Sequence, residues 1–318
     1  MAHGGRARVA RRPLLVAALT AAALPTAACG IRLEDHAPRV PFVPTRTPVP
    51  LEAELVRLTQ DTKALADAAA ALPGELAADL ARVHRRQHAV LRTTLLQAQV
   101  PAADLDAPAS PGATASASPS PSTSGSAAAH ERAALATAEG TAAASAGAFA
   151  GVAADLRATV AALHAQRYAA AELLSGTAPD VPTDPVGGAE AARLASLTSA
   201  AIYLVEVVAA RSTGKQRARA VTTLGALRDL HADQLAGGAQ PEADLGHPLP
   251  FPVESAADAA RLARSVLTSL RAGSGEQLAP LVAAHGAAGL AAATRWVGVV
   301  EVEAHRWGVG LAPFPGLT

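Results

Sequence analysis

The segment RVHRRQHAVL, residues 82–91, sets His84 and His88 four positions apart. On a helix that spacing is one turn plus about 40°, so both imidazoles lean over one spot, an arrangement that helical metal sites use. Two imidazoles alone make a weak, two-coordinate site. The histidines also follow a repeated pattern. VHRRQ (83–87), LHAQR (163–167) and LHADQ (230–234) each place a histidine after an aliphatic residue, with Gln or Arg three positions later. His84, His164 and His231 therefore lie on or beside apolar stripes. Two readings compete: an old helix duplication in which a partly buried imidazole hydrogen-bonds across a bundle, or a histidine-rich transition-metal site where the three meet. The faces carry no acidic partners of their own, which favours the first.

Carboxylates would have to complete any metal site. Glu206 is the carboxylate that the segment 189–211 offers; it lies on the Ile202 side of a run apolar nearly all round, and we expect it to be buried against an arginine. Glu303 shares a helix face with Trp296, Val300 and Trp307, while Glu301 and His305 have the spacing of an i,i+4 ion pair. The metal alternative thus draws on His84, His88, His164, Glu206, His231 and Glu303. A di-iron centre in a four-helix bundle uses two Glu-x-x-His pairs, and no glutamate in this chain has a histidine three residues later. Asp229, His231 and Asp233 do not converge, because residues i and i+2 diverge by about 200° on a helix. There is no Gly-x-Ser-x-Gly elbow and no phosphate loop. No catalytic residue is expected, and no cofactor; a transition metal is the alternative.

The N-terminus bears on location. Four arginines (Arg6, Arg8, Arg11, Arg12) precede the apolar run PLLVAALTAAALPTAA and then Cys29, the only cysteine. That order is a secretory signal over 1–28, and the run is shorter than the roughly 20 residues a spanning helix needs. Cys29 follows Thr26, Ala27 and Ala28, with Leu24 upstream, which resembles the lipobox of bacterial lipoproteins. Lipidation of Cys29 would anchor the protein on the extracytoplasmic face of the membrane and leave no thiol for a disulfide. Arg11 and Arg12 also resemble a twin-arginine signal, so the export route stays open.

Net formal charge is zero, aromatics are 3% of residues, and no basic patch is interleaved with aromatic side chains, which argues against nucleic acid as a partner. Apolar residues repeat with a period of 3.6 almost throughout, and no segment alternates long enough to need a strand. We expect an all-α protein. Residues 29–50 are proline-punctuated and read as a membrane-proximal tether. A helical region spans 51–174, interrupted by a Pro/Ser/Ala-rich segment at 101–129 that we expect to be disordered. After a loop at 175–188, helices are expected over Ala189 to Arg211, Lys215 to Ala236, Glu254 to Ala272, and about Leu278 to Trp307, the last kinked near Gly286 or Gly289. Ser255 and Asp258 have capping-box spacing.

In the last region, HPLPFPVESAADAARLARSVL (247–267), AAATRWVGVVEVEAHRWGVG and APFPG (312–316) are similar to the ferritin-like domain of unknown function found in actinobacterial envelope lipoproteins. The stalk CGIRLEDHAPRVPFVPTRTPVP and HRRQHAVLRTTLL resemble lipoproteins carrying that domain. The resemblance implies an up-and-down four-helix bundle at 189–318, with additional N-terminal helices, and no settled activity. The expected function is an exported cell-envelope lipoprotein that binds or scaffolds an envelope protein or ligand without catalysis; the alternative is a metal-binding protein for storage, sensing or oxidation.

Overall fold

The computed structural model describes residues 46–108, 124–182, 184–241 and 246–317. Cys29, the expected signal segment and most of the expected tether lie outside the described residues. Among those described there are helices and no strands: α1 Glu52–Ala71, α2 Glu75–Gln97, α3 Ala102–Asp106, α4 Ser124–Ala144, α5 Arg157–Ser175, α6 Gly188–Ala210, α7 Gly214–Leu235 and α8 Ala256–Arg306. Two 3-10 turns, Ala146–Phe149 and Ala154–Leu156, separate α4 from α5.

Pro73 and Gly74 end α1, and the left-handed φ of 107° at Gly74 turns the chain into α2. Helix α8 opens on the capping box read from the sequence: Asp258 N donates to Ser255 Oγ, and Ser255 N donates to Asp258 Oδ2, each at 3.1 Å. Such a cap stabilises a helix start by about 1 kcal/mol. The helix is not straight. Gly286 has φ 56° and ψ −125°, and Arg271 pairs with Glu301 at 2.9 Å. Thirty residues apart on a straight helix would be about 45 Å, so the arms 256–285 and 287–306 run antiparallel, reversing at Gly286.

The break expected between 272 and 278 is absent, and the reason is packing. Gly273 and Gly275 continue the helix; a Cβ on Gly275 would overlap the Gly316 carbonyl. Glycine there is a notch for the C-terminal segment. The disorder expected over 101–129 also needs correction at both ends. Helix α3 forms because Leu105 is 1% exposed and because the Asp104 carbonyl accepts from Gln60 Nε2 at 2.7 Å. At the other end, α4 begins at Ser124, and Ala127, Ala128 and Ala129, the strongest helix formers, follow within its first two turns. On α7, Val221 is 56% exposed, whereas Leu224 and Leu227 are buried.

Residues 46–317 fall within one compact unit. Its main core draws Leu55, Leu91, Leu163, Val205, Leu227 and Trp296 from α1, α2, α5, α6, α7 and α8, so the regions 51–174 and 189–318 share apolar packing. Helix α5 lies at the centre: every residue from Val160 to Ala171 is buried. It packs most extensively on α8, where Gly298 lets the Tyr168 ring approach too closely for any Cβ. That central position forces the polar residues of α5 into the interior.

Candidate functional site

Three polar side chains of α5 lie in the core. His164, Gln166 and Arg167 are each 0% exposed, and an unpaired charge or amide there would cost several kcal/mol. Their partners come from three other helices. Arg167 Nη2 donates to Thr62 Oγ1 on α1 at 2.7 Å, and Arg167 Nη1 lies 3.7 Å from Glu139 Oε2 on α4. Burial lowers the Arg167 pKa from its ordinary value, while Glu139 and Asp61 oppose that shift.

Glu139, also 0% exposed, meets His84 of α2: Oε1 lies 2.6 Å from Nε2, an ion-pair distance with the ring N–H off the hydrogen-bond line. The other His84 nitrogen, Nδ1, is 3.0 Å from Gln87 Oε1. Gln87 Nε2 donates to the Pro313 carbonyl at 2.6 Å and to Gln166 Oε1 at 3.2 Å. A backbone carbonyl cannot donate, so the Gln87 oxygen must face His84 and Nδ1 carries a proton. One buried network thus joins α1, α2, α4 and α5 to the C-terminal segment.

His164 is separate in role. Its Nδ1 donates to the Ala142 carbonyl at 2.9 Å. Burial, reinforced by Arg167, pushes its pKa down to about 3, so the ring is neutral at any ordinary pH. His164 hydrogen-bonds across helices, to α4, whereas the hydrogen bond of His84 stays within α2 and its contact with α4 is the close approach to Glu139. The acidic partner of His84 was missed in the sequence because Glu139 sits on another helix, in the glycine- and alanine-rich ATAEGTAAASAG. The available signal was the Gln or Arg three residues after each histidine, since Gln87 and Arg167 both belong to the network.

The remaining candidates disperse. His88 is half-buried, its pKa lowered by burial and then by Arg92 and Lys63. His231 is half-buried on α7, lowered by burial. Glu206 does pair with an arginine, Arg228, at 2.8 Å, but its side chain is 49% exposed. The expected burial fails because Glu206 lies on the outer side of α6. Glu301 binds Arg271 and accepts from Ala312 N at 2.7 Å, so its carboxylate is held across the α8 reversal and by the C-terminal segment. Among the described residues no three His, Cys, Asp or Glu side chains are grouped to hold a metal ion.

A second polar cluster surrounds a cleft of about 400 Å³ between α5, α7 and the second arm of α8. Glu303, 1% exposed, accepts from Thr223 Oγ1 at 2.7 Å and from Arg306 at 2.6 Å, and Trp307 Nε1 donates to the same threonine at 2.9 Å. Arg306 also reaches Glu172 at 2.9 Å. Asp233 accepts from Arg295 and from the Trp296 indole. A wider groove of about 700 Å³ beside α4 is lined by alanines and small polar residues, with Arg132 and Asp180 the charged ones among the described residues.

Among the described residues α6 is the one helix long and apolar enough to cross a bilayer; here it packs on α7 and α8, with Leu194, Val205 and Val208 buried. Comparison with family models, with curated proteins and with solved structures returned no match.

Proposed function

We propose that the chain is an exported cell-envelope lipoprotein, anchored to the extracytoplasmic face of the membrane through Cys29, whose ferritin-like helical bundle binds or scaffolds a partner without catalysis. One observation supports the non-catalytic part. The buried carboxylates among the described residues are each held by a partner: Glu139 by His84 and Arg167, Glu301 by Arg271, Glu303 by Thr223 and Arg306. Side chains so engaged hold helices in register, and a reacting group would have to break a buried ion pair to leave its place.

Two measurements test this. Cys29→Ala should release the protein from membranes in cell fractionation, and retention in the membrane would refute the anchor. Protein purified without chelator should carry no stoichiometric iron, zinc, copper or manganese. A stoichiometric metal lost in the His84→Ala, His88→Ala double variant would replace the scaffold reading with a metalloprotein.

A further inference from the structure

The cleft between α5, α7 and the second arm of α8 has an unbalanced wall. Four carboxylates line it, Glu172, Asp229, Asp233 and Glu303, against two guanidiniums, Arg295 and Arg306. Arg295 answers Asp233 one for one. Arg306 alone must answer both Glu172 and Glu303, and Asp229 makes no ion pair among the described residues. The wall therefore carries negative charge in excess, part of it poorly hydrated: the Glu172 and Glu303 side chains are 13% and 1% exposed. Burial and the adjacent Glu303 raise the Glu172 pKa against the pull of Arg306, a shift that a second cation beside it would reverse. Charge of that kind attracts a cation more strongly than a surface carboxylate does.

A second, independent feature points into the same space. Tyr168 is 3% exposed and lines the cleft, yet its hydroxyl has no hydrogen-bond partner among the described residues. The charged groups that act on it, Glu172, Arg295 and Asp233, all line the cleft as well. The rest of the wall is apolar, with Val299 and Val302 on α8 and Ala226 and Leu230 on α7. The cleft thus sets a short apolar stretch beside a charged one, the two surfaces that an amphipathic small molecule would use. A metal ion would need three or more converging ligands, and the described residues supply no such group. An organic cation needs only one or two carboxylates, a hydroxyl to accept its N–H, and an apolar wall for its stem.

We propose that this cleft binds an alkylammonium or alkylguanidinium group, with its charge on Glu172 and Asp229, an N–H donated to the Tyr168 hydroxyl, and its stem along Val299 and Val302. The proposal rests on the binding half of the reading above and names the ligand class. The chemistry is shared by free amines and by the side chain of lysine or arginine in a peptide.

Isothermal titration of the whole protein at low salt tests it, with 1,4-diaminobutane and a blocked lysine tripeptide as probes and n-butyrate and Mg²⁺ as controls. Saturable one-to-one binding of either amine is expected, and the tighter of the two identifies the source. Glu172→Gln and Asp229→Asn should each weaken it about 10-fold or more, the worth of one charge-assisted hydrogen bond. Asp229 is exposed, so Asp229→Asn keeps the test decisive if Glu172→Gln fails to fold. No saturable binding of either amine, unchanged affinity in Asp229→Asn, or equal binding of Mg²⁺ would overturn the site. Membrane release by Cys29→Ala is read independently, so loss of the cleft proposal leaves the anchor and scaffold reading standing.

Discussion

Glu139→Gln isolates the electrostatics of the core network because it keeps the side-chain shape and deletes one charge. In the native protein Glu139 lies between Arg167 Nη1 at 3.7 Å and His84 Nε2 at 2.6 Å, and all three side chains are 0% exposed. Removing one partner of such a pair leaves a buried guanidinium without its nearest counter-charge, at a cost of about 3–5 kcal/mol. That is a large share of the roughly 5–15 kcal/mol that holds a typical domain together. At about 2–4 °C per kcal/mol for a chain of this size, the melting temperature should fall by about 6–20 °C. Replacing both residues, Glu139→Gln with Arg167→Met, removes the stranded charge, so the double variant should be more stable than the single losses added together by about 2 kcal/mol or more. Circular-dichroism melts and urea titrations of the four proteins in this cycle supply the numbers. A shift below about 2 °C for Glu139→Gln, or strict additivity in the cycle, would show that the carboxylate does not offset Arg167.

Three further outcomes are expected. His164 is neutral in the fold down to about pH 3, whereas the unfolded ring gains its proton near 6.5; between these values the unfolded state binds more protons, so stability rises with pH and acidification through that window weakens the fold by up to about 1.4 kcal/mol per unit. Urea midpoints measured across the window should lose part of that slope in His164→Gln, and an unchanged slope would place the titrating group elsewhere. Gly275→Ala should lower stability and open the C-terminal segment to proteolysis, since its Cβ would meet Gly316, while Gly225→Ala, with nothing within 4 Å, should raise stability by about 0.5–1 kcal/mol. Ring-nitrogen NMR should find His84 protonated at Nδ1; a bare Nδ1 would reverse the Gln87 amide and break its bond to Pro313.

The amino-acid pattern by itself determined that the described chain is helical, and the ends of α6 and α7 and the outer ends of α8 lie within a few residues of those expected, because the 3.6-residue apolar spacing and the Ser255 cap act locally. It also marked His84, His164, Gln87 and Arg167 as unusual, through a spacing visible on single helices. The sequence did not show which helix would be central. Stripe counting treats α5 as amphipathic, but α4, α8 and the 3-10 turn at 146–149 cover it on several sides, so Arg167 is buried although nothing in its neighbours requires it. Pairing across helices is a non-local property: Glu139 faces His84 across 55 positions of chain, and Arg306 bridges Glu172 across 134. The glycines make the same point. Gly286 reverses the chain and Gly275 does not; Gly275 instead receives Gly316, a close approach that only the folded arrangement of α8 and the C-terminal segment creates.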